Sequence, residues 1–216
     1  MNFFAHATVA CWERDDPEYV LGSMLPDFAT MTGTRLRSAG HVDVAAGLVL
    51  HRVSDAAFHQ SARFGALCLS GTRWLRAHGV SRGPARGAAH VGVELLLDGV
   101  LVDDARVCDR YAAALDAGGE PGLRETLRWH AGDGDRRWQR LQSRLVAHGA
   151  PLEYRRPEVV AARVVRALSP RPRLALDPDE VEAVERWLER AQADVAAAAP
   201  ELLGDVRAGI AARIPG

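Results

Sequence analysis

A chain of 216 residues, 48% hydrophobic and 25% charged, has the balance of an ordinary globular protein and is long enough to bury a core without disulfide or metal staples. Its formal net charge of −1 excludes the basic excess of a general nucleic-acid binder, although a local basic groove is compatible with it. All 27 basic side chains are arginine, so lysine nucleophiles and Schiff-base lysines are excluded as well.

The first helix is expected from Asn2 to about Trp12, followed by a second that opens at Pro17, a favoured first-turn residue, and breaks near Pro26-Asp27. A long helix is predicted from about His41 to Leu69, with Val44, Leu48, Phe58, Ala62 and Leu69 in its apolar stripe. Gly71 then starts a shorter helix that ends near Gly79, and Pro84 opens another that reaches about Val102. Glu120-Pro121 opens a further helix, and Asp133-Gly134-Asp135 breaks the chain before the next. Pro157 to Leu168 reads as helical, and Ser169-Pro170-Arg171-Pro172 interrupts it. A last long helix starts at Pro178 with Glu180 and Glu182 near its positive end, and Pro200 divides it from a terminal piece ending near Ile214. No segment alternates with period two, and no repeat or linker divides the chain. The expectation is one all-α domain over residues 1–216.

Cys11, Cys68 and Cys108 lie far apart, an odd count without a paired spacing, which argues for a reducing compartment and against a zinc ribbon. The N-terminus lacks a basic region followed by a long apolar run, and no stretch approaches the ~18–20 apolar residues of a membrane span. A cytoplasmic location is expected.

Chemistry concentrates in the N-terminal half, which holds His6, His41, His51, His59, His78 and His90 of the eight histidines. Residues four apart share a helix face, so His51, Asp55 and His59 project from one stripe, and His90, Glu94 and Asp98 from another. Such pairs can hold a metal from adjacent turns. His90-Val-Gly-Val-Glu94-Leu-Leu-Leu-Asp98 sets ionisable groups in an otherwise apolar run, and Asp27 follows Ser-Met-Leu-Pro. Buried groups of this kind need a counter-charge or a metal. His78, His130 and His148 sit near predicted helix ends, where a cation is favourable for dipole reasons alone. Histidine and carboxylate ligation without thiolate fits zinc, manganese or iron.

The residues carry a resemblance. Met-Asn-Phe-Phe-Ala-His at 1–6, Leu-Gly-Ser-Met-Leu-Pro-Asp ending at Asp27, His51-Arg52-x-x-Asp55, Glu94 and Arg171-Pro172-Arg173-Leu174 resemble the bacterial acyl carrier protein phosphodiesterases. That resemblance implies an HD-like helical fold, a divalent metal, often manganese, and release of 4′-phosphopantetheine from holo-acyl carrier protein. At positions 59 and 90 the chain has histidine where that family carries carboxylates. In this respect the order His6, Asp27, His41, His51, Asp55, His59, His90, Glu94 resembles zinc-dependent phospholipase C and the fungal single-strand nucleases. This second likeness implies an all-α scaffold with a cluster of zincs, and Met1 as a ligand through its amine.

The sequence thus leads to an expected phosphodiester hydrolase using a water activated by about two or three divalent ions. His6, Asp27, His51, Asp55, His59, His90 and Glu94 are the expected ligands, with His41 as a further candidate and Asp27 or Asp55 as the bridge. Asp98 is a candidate base, and Arg52, Arg171 and Arg173 are candidate contacts to a phosphate or to an acidic protein substrate. A phospholipase-like or nucleotide phosphoesterase is the alternative enzyme, and a helical module that only binds metal is the alternative without turnover.

Overall fold

The computed structural model describes residues 1–213 and is all-α, as the composition predicts. Ten α-helices are present among the described residues: α1 (Phe3–Glu13), α2 (Pro17–Met31), α3 (Val42–Gln60), α4 (Ala62–Ala77), α5 (Arg82–Leu101), α6 (Ala105–Ala117), α7 (Pro121–Arg124), α8 (Gly134–His148), α9 (Pro157–Leu168) and α10 (Pro178–Ala211). A 3-10 turn covers Leu152–Arg155. Among the described residues, no helix is long and apolar enough to cross a membrane.

Several predicted boundaries move, each for a local reason. The expected long helix from His41 to Leu69 stops at Gln60, because Ser61 turns its hydroxyl back onto the N–H groups of Arg63 and Phe64 and caps α4. Gly71 lies inside α4 and does not start it. Pro26 and Pro200 sit within α2 and α10 and do not break them. The cost of a helical proline, about 3 kcal/mol, is borne by the packing of buried neighbours such as Leu25, Phe28, Ala199 and Leu202. Ile214, the expected end of the terminal piece, lies outside the described residues. Helix α6 is absent from the sequence expectation, although Asp104 caps it through the N–H groups of Arg106 and Val107. So is the antiparallel pair β1 (Leu36–Ala39) and β2 (Leu127–Trp129), whose strands are too short to show alternation.

The chain forms two compact units, each assembled from separated segments. The first comprises Met1–Ala56, Leu101–Pro151 and residues 209–213. Its α1 is apolar on every side, Phe3-Phe-Ala-His-Ala-Thr-Val-Ala-Cys11, and is buried on every side, as a helix without a polar face must be. Phe3 and Phe4 meet Tyr111 at ring distances of 5.9 and 5.5 Å, and Phe28 meets Phe3 and Trp138 at 5.4 and 5.8 Å. Trp138 donates its indole N–H to the Gly118 carbonyl at 2.9 Å, which satisfies that buried donor.

The second unit comprises Ala57–Val100 and Leu152–Ala208. Trp187 of α10 is its centrepiece and lies where only glycine leaves room. A Cβ on Gly71 or Gly92 would come within 2.5 or 2.6 Å of the indole. At the head of α10, buried Glu180 accepts from the N–H groups of Ser81 (2.6 Å) and Asp177 (3.0 Å). Burial opposes its charge, but the two donors outweigh it and hold this carboxyl below the usual glutamate range. A carboxyl with a depressed folded pKa stabilises above the unfolded value and loses that contribution as pH falls through the folded one. Glu180→Ala is accordingly expected to cost about 1–3 kcal/mol at neutral pH by orphaning two donors. It should also flatten the acid limb of the stability profile in urea titrations at several pH values.

Candidate metal centre

In the first unit, His6 comes from α1, Asp27 from α2 just past Pro26, and His51 and Asp55 from adjacent turns of α3. Ligand atoms of His6, Asp27 and His51 lie within 4.8 Å of one another. His6 Nε2 is 3.9 Å from both Asp27 Oδ2 and Asp55 Oδ1, and Asp55 Oδ1 accepts from the Met1 amine at 2.8 Å. The rings of His6 and His51 stack with centroids 4.0 Å apart.

Two glycines make this arrangement possible. A Cβ on Gly22 would stand 2.3 Å from the Val44 carbonyl oxygen, and one on Gly47 would stand 2.2 Å from that of Tyr19. The backbones of α2 and α3 therefore touch, and His51 Nδ1 reaches the Ser23 carbonyl at 2.8 Å. A carbonyl only accepts, so Nδ1 carries the proton and Nε2 keeps its lone pair. Burial lowers the His51 pKa, which favours the neutral ring a metal requires.

The same logic fixes His6. Ser54 spends its hydroxyl proton on the His51 carbonyl at 3.1 Å, so it accepts from His6 Nδ1 at 3.0 Å. His6 Nε2 is then a lone pair directed at two carboxylates. Two imidazoles locked to present Nε2, beside acidic oxygens, form a donor set that fits a divalent ion such as zinc, manganese or iron. Ser54→Ala removes the lock on His6, and metal affinity is expected to fall about 10–100-fold with helix content unchanged, measured by competition with a chelating dye.

In the second unit, Glu94 Oε1 stands 3.2 Å from His90 Nε2 and 3.7 Å from His59 Nε2. The two imidazoles are nearly parallel, 15° apart, and Phe64 meets both edge-on at 5.1 and 5.2 Å. His59 and His90 are 31% and 47% exposed against 14% for Glu94, so the acid lies beneath and the imidazoles reach solvent. Burial opposes the Glu94 charge, yet the contact with His90 helps to hold its pKa below the usual value. This is a second group of two histidines and one carboxylate. Burial and the nearby Glu94 charge push the Cys68 thiol up to about 12, so no thiolate competes there at neutral pH.

Other sequence candidates lie elsewhere. His41 precedes the first turn of α3, roughly 15 Å along the axis from His51, and belongs to neither group. Asp98 is fully buried one turn past Glu94, beside Tyr154, whose phenol is raised by burial and by the Asp98 charge; it too is outside both groups. Arg52 and Arg173 are exposed. Arg171 lines a groove of about 740 Å³ in the second unit together with Arg76, Arg82, Arg86 and His90. Sequence reasoning passed over Arg82 and Arg86, yet their signal was present: 82, 86, 90 and 94 are successive four-residue steps along one face of α5. Ser23, Ser54 and Phe64, which orient ligands, had no such signal.

Compared with known protein families, curated proteins and solved structures, the chain matches none.

Proposed function

We propose that this protein is a metal-dependent phosphodiester hydrolase. The observation that carries the reading is the pair of two-histidine, one-carboxylate groups, one of them with both imidazole tautomers set by hydrogen bonds. A divalent ion bound to such donors would polarise a phosphoryl oxygen and supply a more acidic water. The protein's own part is to hold the donors. His6, Asp27 and His51 would ligate in the first unit, with Asp55 as the carboxylate available to bridge or to accept a proton. His59, His90 and Glu94 would ligate in the second.

The motifs at 1–6, 21–27 and 51–55 favour holo-acyl carrier protein as substrate, with release of 4′-phosphopantetheine. A second reading, a phospholipase C-like or nucleotide phosphoesterase, is favoured by histidine at 59 and 90. Fold-level analogy alone does not choose between them. Elemental analysis of the purified protein, followed by hydrolysis of bis-p-nitrophenyl phosphate with zinc, manganese and iron(II), tests the common core. Stoichiometric metal with turnover is expected. Bound metal without turnover under any of these ions would leave a metal-binding module and remove the enzyme.

A further inference from the structure

The groove in the second unit is lined by Arg76, Arg82, Arg86, Arg171 and His90, with Leu69 and Leu174 among its apolar lining residues. Its arginines are differently committed. Arg76 donates to the Val80 carbonyl at 3.1 Å. Among the described residues, no carboxylate forms an ion pair with Arg82, Arg86 or Arg171. Three guanidinium charges sharing one concavity without a counter-ion repel one another, and a bound anion relieves that repulsion.

Placement on α5 gives the groove a direction. Each four-residue step advances about 6 Å, so Arg86 and Arg82 follow His90 at roughly 6 and 12 Å along the same stripe that ends in Glu94. The first turn of α5 contains no acidic residue, and its positive end adds to the field. The segment carrying Arg171 is held close by a tight contact, since a Cβ on Gly83 would stand 2.2 Å from the Arg173 carbonyl oxygen.

We propose that this groove is a phosphate-anchoring subsite. It takes the terminal phosphate of a small organic phosphate whose apolar or aliphatic arm lies on Leu69 and Leu174. Arg82, Arg86 and Arg171 hold the phosphate by charge-assisted hydrogen bonds, a geometry for which the guanidinium fork is suited. The concavity and its volume suit a small molecule, whereas an acidic protein would need a broader face. As a place for substrate the groove rests on the hydrolase reading, because it begins at His90; as an anion site it stands without it.

The test is equilibrium binding to the full chain after dialysis to remove metal, with hexyl phosphate, inorganic phosphate and hexanoate as probes. Hexyl phosphate is expected to bind about tenfold more tightly than either of the others. Arg82→Gln/Arg86→Gln should weaken it at least tenfold, with thermal stability retained, and Arg171→Gln alone should weaken it several-fold. Unchanged binding in the double variant overturns the proposal, as does equal affinity for hexyl phosphate and hexanoate. If holo-acyl carrier protein binds through Arg82 and Arg86 while hexyl phosphate does not, the groove is a protein-docking face and the small-ligand assignment fails. Metal content and affinity unchanged in Glu94→Gln, with hexyl phosphate binding intact in the metal-free protein, would count against the hydrolase reading alone.

Discussion

Asp55→Ala is expected to abolish hydrolysis of bis-p-nitrophenyl phosphate while leaving the helical circular dichroism spectrum unchanged. Asp55 is half-exposed on α3, its Oδ1 is 3.9 Å from His6 Nε2, and it holds the Met1 amine. Under the proposed hydrolase reading, removing it takes away a carboxylate that could bridge or receive a proton, but it opens no cavity in the apolar core. The loss should therefore appear in turnover, by more than the 10²–10³-fold typical of one lost electrostatic contact, and hardly in stability. Asp55→Asn separates charge from shape: it keeps the volume and should also be inactive. A wild-type rate in either variant would remove Asp55 from the chemistry.

Gly47→Ala attacks the same centre through the backbone. A methyl group 2.2 Å from the Tyr19 carbonyl oxygen cannot be absorbed by turning a side chain, so α2 and α3 must separate. Overpacking of this kind costs about 1–3 kcal/mol. For a chain of this size that corresponds to a fall in melting temperature of roughly 2–12 °C. The separation also draws the Ser23 carbonyl away from His51 Nδ1, so metal affinity should drop together with stability. A variant that melts early yet binds metal with native affinity would show that the helix contact does not set the ligand.

Part of the candidate donor set was legible. Four-residue spacing identified His51 with Asp55 and His90 with Glu94, and the apolar surroundings of Asp27 marked it as a carboxylate in need of a partner. What spacing could not show was how the donors are shared out. His51, Asp55 and His59 occupy one stripe of α3, yet His51 joins His6 and Asp27 in the first unit and His59 joins His90 and Glu94 in the second. That division depends on which helices pack against each end of α3, a long-range matter. The helix boundary at Ser61 was hidden for a related reason: its cap is one hydroxyl within an unbroken apolar pattern. Pro26 and Pro200 misled in the opposite direction, because tertiary packing overrode local preference. His41 fits the order of ligands but not the geometry, since ten residues of helix carry it away from His51.

The two imidazoles of the first unit are secured by unlike means. Position 6 owes its tautomer to a single hydroxyl, which one base change can erase. Position 51 leans on a main-chain oxygen that no replacement at residue 23 can delete; only displacement of a whole helix would free it. A single substitution at position 54 can therefore loosen the first imidazole, whereas the second keeps its orientation under any replacement at position 23 that leaves the helices in place.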